Sequence, residues 1–89
     1  MKAINGNKVY EFRGDEEEVW VSAPDRPAAE ALFAPMQDDY FDLGESVECV
    51  ELDDDDMYMK FEAEDGKMTT FAEFLAGDPE PGFICTTSW

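Results

Sequence analysis

From Pro27 to Met59 the chain carries eleven acidic residues (Glu30, Asp38, Asp39, Asp42, Glu45, Glu48, Glu51 and Asp53 to Asp56) and no Lys or Arg. The acids form a segregated block. A second cluster, Asp15 to Glu18, sits where the first turn is expected. Over all 89 residues there are 23 acids against 6 Lys and Arg, with no His, for a formal charge of −17. Solubility alone asks for a magnitude of about 2 to 8 with both signs interspersed. The excess argues against direct contact with DNA, RNA or an anionic membrane surface, each of which needs a basic patch, and points to a basic partner. It also costs self-repulsion, which salt relieves.

The chain is nevertheless a folding one. Its hydrophobic fraction is 44% and its aromatic residues are Phe 7, Tyr 3 and Trp 2, unlike an acidic disordered tail. Its length suits one compact domain spanning 1–89. Cys49 and Cys85 lie thirty-six residues apart with no Cys or His neighbour at a zinc-ligand spacing, so they read as two buried free thiols, or as a single disulfide if the chain is exported. The start, Met1-Lys2-Ala3-Ile4-Asn5-Gly6, lacks the apolar stretch of a signal peptide, and no apolar run is long enough for a bilayer; an intracellular protein is expected.

Residues 8 to 13 alternate apolar and charged side chains as a half-buried strand does, Gly14 and Asp15 supply a turn, and Val19, Val21 and Ala23 then share a face opposite Trp20 and Ser22. A hairpin is predicted. Asp25 is the candidate N-cap of a helix with Pro27 in its first turn and an apolar stripe of Ala29, Leu32, Phe33 and Met36, ended by Pro35. A third strand is expected over Val47 to Leu52 and a turn over Asp53 to Asp56. A fourth strand follows, with Met57, Met59, Phe61 and Ala63 on one side and Tyr58, Lys60, Glu62 and Glu64 on the other. After a turn at Asp65-Gly66, Thr70 and Glu73 form a capping box for a short second helix ending near Gly77, and Phe83 to Trp89 returns to the sheet. The fold class expected is α+β: a small antiparallel sheet of four to five strands with two short helices on one face.

Without His there is no ordinary Ser-His or Cys-His nucleophile pair and no side chain whose unperturbed pKa suits proton transfer near neutrality, so an enzyme is not expected. The Asp53 to Asp56 run invites calcium, but an EF-hand needs acids at alternate positions, a Gly at the sixth and a Glu at the twelfth. No phosphate loop or RNA-binding aromatic box is present. No metal and no cofactor is expected.

Acids at alternate strand positions lie about 6.6 Å apart, and DNA presents a charge about every 3.4 Å on each strand, so two rows of carboxylates on a rigid scaffold approach the charge density of a nucleic-acid backbone. Such a face would enter a basic groove as a competitor. The candidate contact residues are Asp38, Asp39, Asp42, Glu45 and Asp53, Asp54, Asp55 and Asp56 as phosphate surrogates, with Tyr40 and Tyr58, and also Phe41 and Trp89, as apolar anchors or core residues.

In its size, in the basic-free block from Pro27 to Met59 and in its compact strand and helix patterning with aromatic residues, the chain resembles small, very acidic phage and mobile-element proteins that inhibit bacterial defence systems, including anti-CRISPR proteins and other DNA mimics. The strand Val19-Trp20-Val21-Ser22-Ala23 running into an alanine-containing helix, Thr69-Thr70-Phe71 and the terminal Thr86-Thr87-Ser88-Trp89 also look like phage reading frames. The resemblance implies a stoichiometric inhibitor, working in the bacterial cytoplasm, that blocks the nucleic-acid-binding surface of a basic partner such as a CRISPR effector or a nuclease. An immunity-type protein that neutralises a basic nuclease toxin demands the same electrostatics. An acidic structural or adaptor protein without mimicry is the reading from another class.

Overall fold

The structure, a computed structural model, describes residues 3–14, 17–37, 41, 46–62, 66–77 and 80–86. Alternation of side chains builds the first hairpin as expected: β1 (Lys8–Arg13) pairs antiparallel with β2 (Glu18–Ala23), from Lys8↔Ala23 to Arg13↔Glu18. β3 (Glu48–Glu51) adds antiparallel to the free side of β1, and β6 (Gly82–Thr86) to the free side of β2, giving the order β3-β1-β2-β6. A separate ribbon joins β4 (Lys60–Glu62) to β5 (Met68–Thr70).

Helix α1 (Arg26–Phe33) begins where Asp25 accepts the Ala28 N–H at 2.9 Å, which satisfies one orphan donor of its first turn. Pro35 cannot donate to a continuing helix, and the chain tightens into a 3-10 turn over Ala34–Met36. Helix α2 (Phe71–Gly77) is capped by the Thr70 hydroxyl, which accepts the Glu73 N–H at 3.1 Å. The second half of the expected capping box is not made that way: the Glu73 carboxylate accepts from the Thr69 hydroxyl, 3.1 Å away. The other end of α2 is held from far along the chain. Asn5 and Gly6, with φ of 53° and 80°, form a tight turn closed by reciprocal bonds between Ile4 and Asn7, and the Asn5 amide donates to the carbonyls of Leu75 (2.8 Å) and Ala76 (3.2 Å).

The α+β class and the small antiparallel sheet are as the sequence predicts, but the two helices do not share a face. Tyr10, Phe12, Val19, Val21 and Ala23 point to one side and pack with Ala29, Phe33 and Phe41. Val9, on the other parity of β1, packs with Leu52, Met57, Phe71, Leu75, Ile84 and Cys85, with Trp20 and Phe61 beside them. The sheet is therefore a central layer with α1 on one face, and α2 with the β4–β5 ribbon on the other. A bulge assists: Trp20 pairs with Cys85 and Val21 with Phe83, so Ile84 is an extra residue and falls into the same cluster as Cys85. Cys49 packs against the first cluster and Cys85 lies in the second, both as free thiols.

The predicted fourth strand is shortened at its start. Bonds from the N–H groups of Asp56, Met57, Tyr58 and Met59 to the carbonyls three residues back wind the chain into a 3-10 turn over Asp56–Tyr58, and strand begins only at Lys60. Met57 and Met59 thus do not share a side: Met57 is 3% exposed and Met59 61%. Among the described residues no helix is long and apolar enough to cross a membrane.

Candidate functional site

Five of the candidate contact residues, Asp38, Asp39, Tyr40, Asp42 and Glu45, lie outside the described residues, as does Trp89. The other five occupy one short turn leaving β3. Asp53, Asp54 and Asp55 are exposed, Asp56 is half-buried, and Tyr58 is exposed over 72% of its surface. Because 3-10 geometry advances about 120° per residue, Asp53, Asp54 and Asp55 fan out around the turn and do not form one row. Asp54 and Tyr58 share an open cavity of about 480 Å³ with Ala3, Ile4 and Met57. Phe41 is a core residue, its ring edge-on to Phe33 at 5.6 Å.

One expectation about the acids is corrected. Glu48 and Glu51, three apart on β3, face opposite sides of the sheet, since Glu48 pairs with Arg13 and Glu51 with Tyr10. No described strand presents acids at alternate positions, so the 6.6 Å row is not built among the described residues. The block that is basic-free in sequence is also not basic-free in space. β1 lies against β3 and brings Lys8 to Glu51 (3.5 Å), which also accepts from the Tyr10 hydroxyl at 3.3 Å.

A second acidic group was not singled out by sequence. Glu11 sits at an inward position of β1, across from Trp20 on β2 and Val50 on β3, with only 6% of its side chain exposed. The Arg13 Nε donates to it from two residues along the same face. Burial, and then a hydrogen bond with the Glu18 carboxyl, push its pKa up to about 7 against the opposing pull of Arg13. The signal in the sequence was a Glu flanked by Val9, Tyr10 and Phe12 on a strand whose two faces are both apolar. Glu11, Arg13, Glu18, Asp56 and Met59, with Trp20, Leu52 and Phe71, line a cavity of about 220 Å³. Among the described residues, no group of three or more His, Cys, Asp or Glu is placed to hold a metal ion.

No family model, curated protein or solved structure matches the chain.

Proposed function

We propose that this protein is a non-enzymatic inhibitor that acts as a nucleic-acid mimic, occupying the basic nucleic-acid-binding site of a bacterial defence complex in the host cytoplasm, with a CRISPR effector as the target to test first. The observation that carries the reading is the charge of −17 on a folded scaffold. The exposed turn Asp53 to Asp55, with Tyr58 standing out of it, supplies carboxylates for Lys and Arg and an aromatic anchor in one patch. Mimicry here would rest on a cluster of charges at a turn and not on a phosphate-like repeat along a strand. Long-range attraction by the whole charge would speed encounter, and binding would weaken with salt.

The test uses purified, guide-loaded CRISPR effectors. The protein should block target DNA binding, excess double-stranded DNA should displace it, and Asp53→Lys, Asp54→Lys and Asp55→Lys combined should abolish inhibition with the fold retained. Binding indifferent to DNA and to those three substitutions overturns the reading.

A further inference from the structure

Asn5 holds the far end of α2 from the other end of the chain. Its amide nitrogen donates to the carbonyls of Leu75 at 2.8 Å and Ala76 at 3.2 Å, two of the acceptors that the last turn of a helix leaves without an intrahelical partner. The turn that aims it is itself demanding. Asn5 and Gly6 take φ of 53° and 80°, left-handed values that Asn and Gly adopt with least strain, and reciprocal bonds between Ile4 and Asn7 close the turn. At the held end, Leu75 is buried in the second cluster with Met57 and Phe71.

The pair that makes this turn is also a pair open to loss of the side-chain amide. Glycine after asparagine leaves the attacking backbone nitrogen uncrowded, and both Asn5 and Gly6 are exposed to water. The step needs no redox partner. The Gly6 nitrogen gives up its proton and attacks Asn5 Cγ; the new C–N bond closes a five-membered succinimide, and ammonia leaves. Water then opens the ring, at Cγ to give aspartate or at the Asn5 backbone carbonyl to give isoaspartate. Either product replaces a donor of two hydrogen bonds with a carboxylate, which only accepts. Its charge stands against two carbonyls at the negative end of a helix, so attraction becomes repulsion. Isoaspartate also adds a carbon to the main chain of a closed turn.

The clasp and the reaction compete for one group. While the amide is tied to α2, the side chain is not free to rotate into position for attack, so conversion waits on release of the helix end. Independently of the inhibitor reading, we propose that Asn5 is a deamidation site gated by the docking of α2, and that its product frees the end of that helix irreversibly. Because Leu75 and Met57 share a cluster, the loosening reaches the 3-10 turn that carries Tyr58.

The test incubates the purified protein in mildly alkaline buffer, native and in urea, and follows the peptide holding Asn5 and Asn7 by mass spectrometry. In urea Asn5 should gain one mass unit well before Asn7, which is followed by Lys8. In native buffer the same gain should be about tenfold slower or more, because two hydrogen bonds must open first. Asn5→Asp, the product made directly, should speed hydrogen exchange of the α2 amides about tenfold, and by more than Asn5→Gly, which loses the donor without adding charge. Gly6→Ala should slow the reaction in urea whether or not that variant folds. No preference for Asn5 in urea, equal rates at Asn5 in urea and native buffer, or α2 exchange in Asn5→Asp no faster than in the parent overturns the proposal. The rate comparison uses only the parent chain, so it decides even if Asn5→Asp does not fold.

Discussion

Phe12 on β1 and Phe33 on α1 lie face to face, ring centroids 4.1 Å apart and planes 11° from parallel. Phe33 also meets Phe41 edge-on, so a single helical side chain ties the sheet, the helix and the segment after it together. Phe33→Ala should cost about 3 to 5 kcal/mol, a large share of the stability of a small domain. Urea unfolding followed by circular dichroism measures it, and a loss below about 1 kcal/mol would mean that the site collapses to fill the space.

Adjacent residues in the 3-10 turn separate folding from recognition. Met57 is buried in the second cluster and Tyr58 stands in solvent. Met57→Ala is expected to destabilise by about 2 to 5 kcal/mol, whereas Tyr58→Ala stays within about 0.5 kcal/mol of the parent. Tyr58→Ala should nevertheless weaken partner binding; a variant that binds as well as the parent removes Tyr58 from the interface.

The raised pKa of Glu11 fixes the sign of a pH effect. An acid that holds its proton more tightly folded, at about 7, than unfolded, near its ordinary 4.5, stabilises the fold below that window and loses this contribution as pH rises through it. Between pH 5 and 8 the parent should lose on the order of 1 to 3 kcal/mol more than Glu11→Gln does. Parallel pH dependences for the two proteins in urea melts would show that Glu11 is not the titrating group.

Much of this was legible in the sequence because it rests on local rules. The span of β1, the Asp25 cap and the stop at Pro35 each depend on residues within a turn of one another. What failed was non-local. The alternation of Met57, Met59 and Phe61 is a strand signal, yet the Asp53 to Asp56 turn propagates its three-residue bonds through Tyr58 and takes Met57 inward on a different geometry. The placing of both helices on one face overlooked that Val9, Tyr10 and Phe12, like Val19, Trp20 and Val21, are apolar at both parities, as a sheet covered on both sides requires. Asn5 capping α2 across seventy positions had no local signal beyond an Asn-Gly turn.

Screening gives a further outcome. With a charge of −17, the melting temperature should rise between 10 mM and 150 mM sodium chloride, as the Debye length falls from about 30 Å to 8 Å. A flat response would mean that internal pairs such as Lys8 with Glu51 already absorb most of the repulsion.

The thiols differ in environment. Burial alone lifts Cys85 to about 12, and burial also raises the half-buried Cys49, though nearby Arg26 opposes it. Ellman's reagent should leave Cys85 untouched in the native protein and modify it only after unfolding, with Cys49 reacting slowly. Mass mapping of a modified Cys85 under native conditions would contradict its placement.

The bulge that sets Ile84 beside Cys85 reaches past the interior it fills. At acid pH the carboxylates neutralise, and the mutual repulsion that keeps copies of so anionic a molecule separate is gone. The outermost ladder then offers a second copy an interrupted hydrogen-bonding template, out of step by one residue, so stacking into fibrils is hindered by shape when charge no longer prevents it.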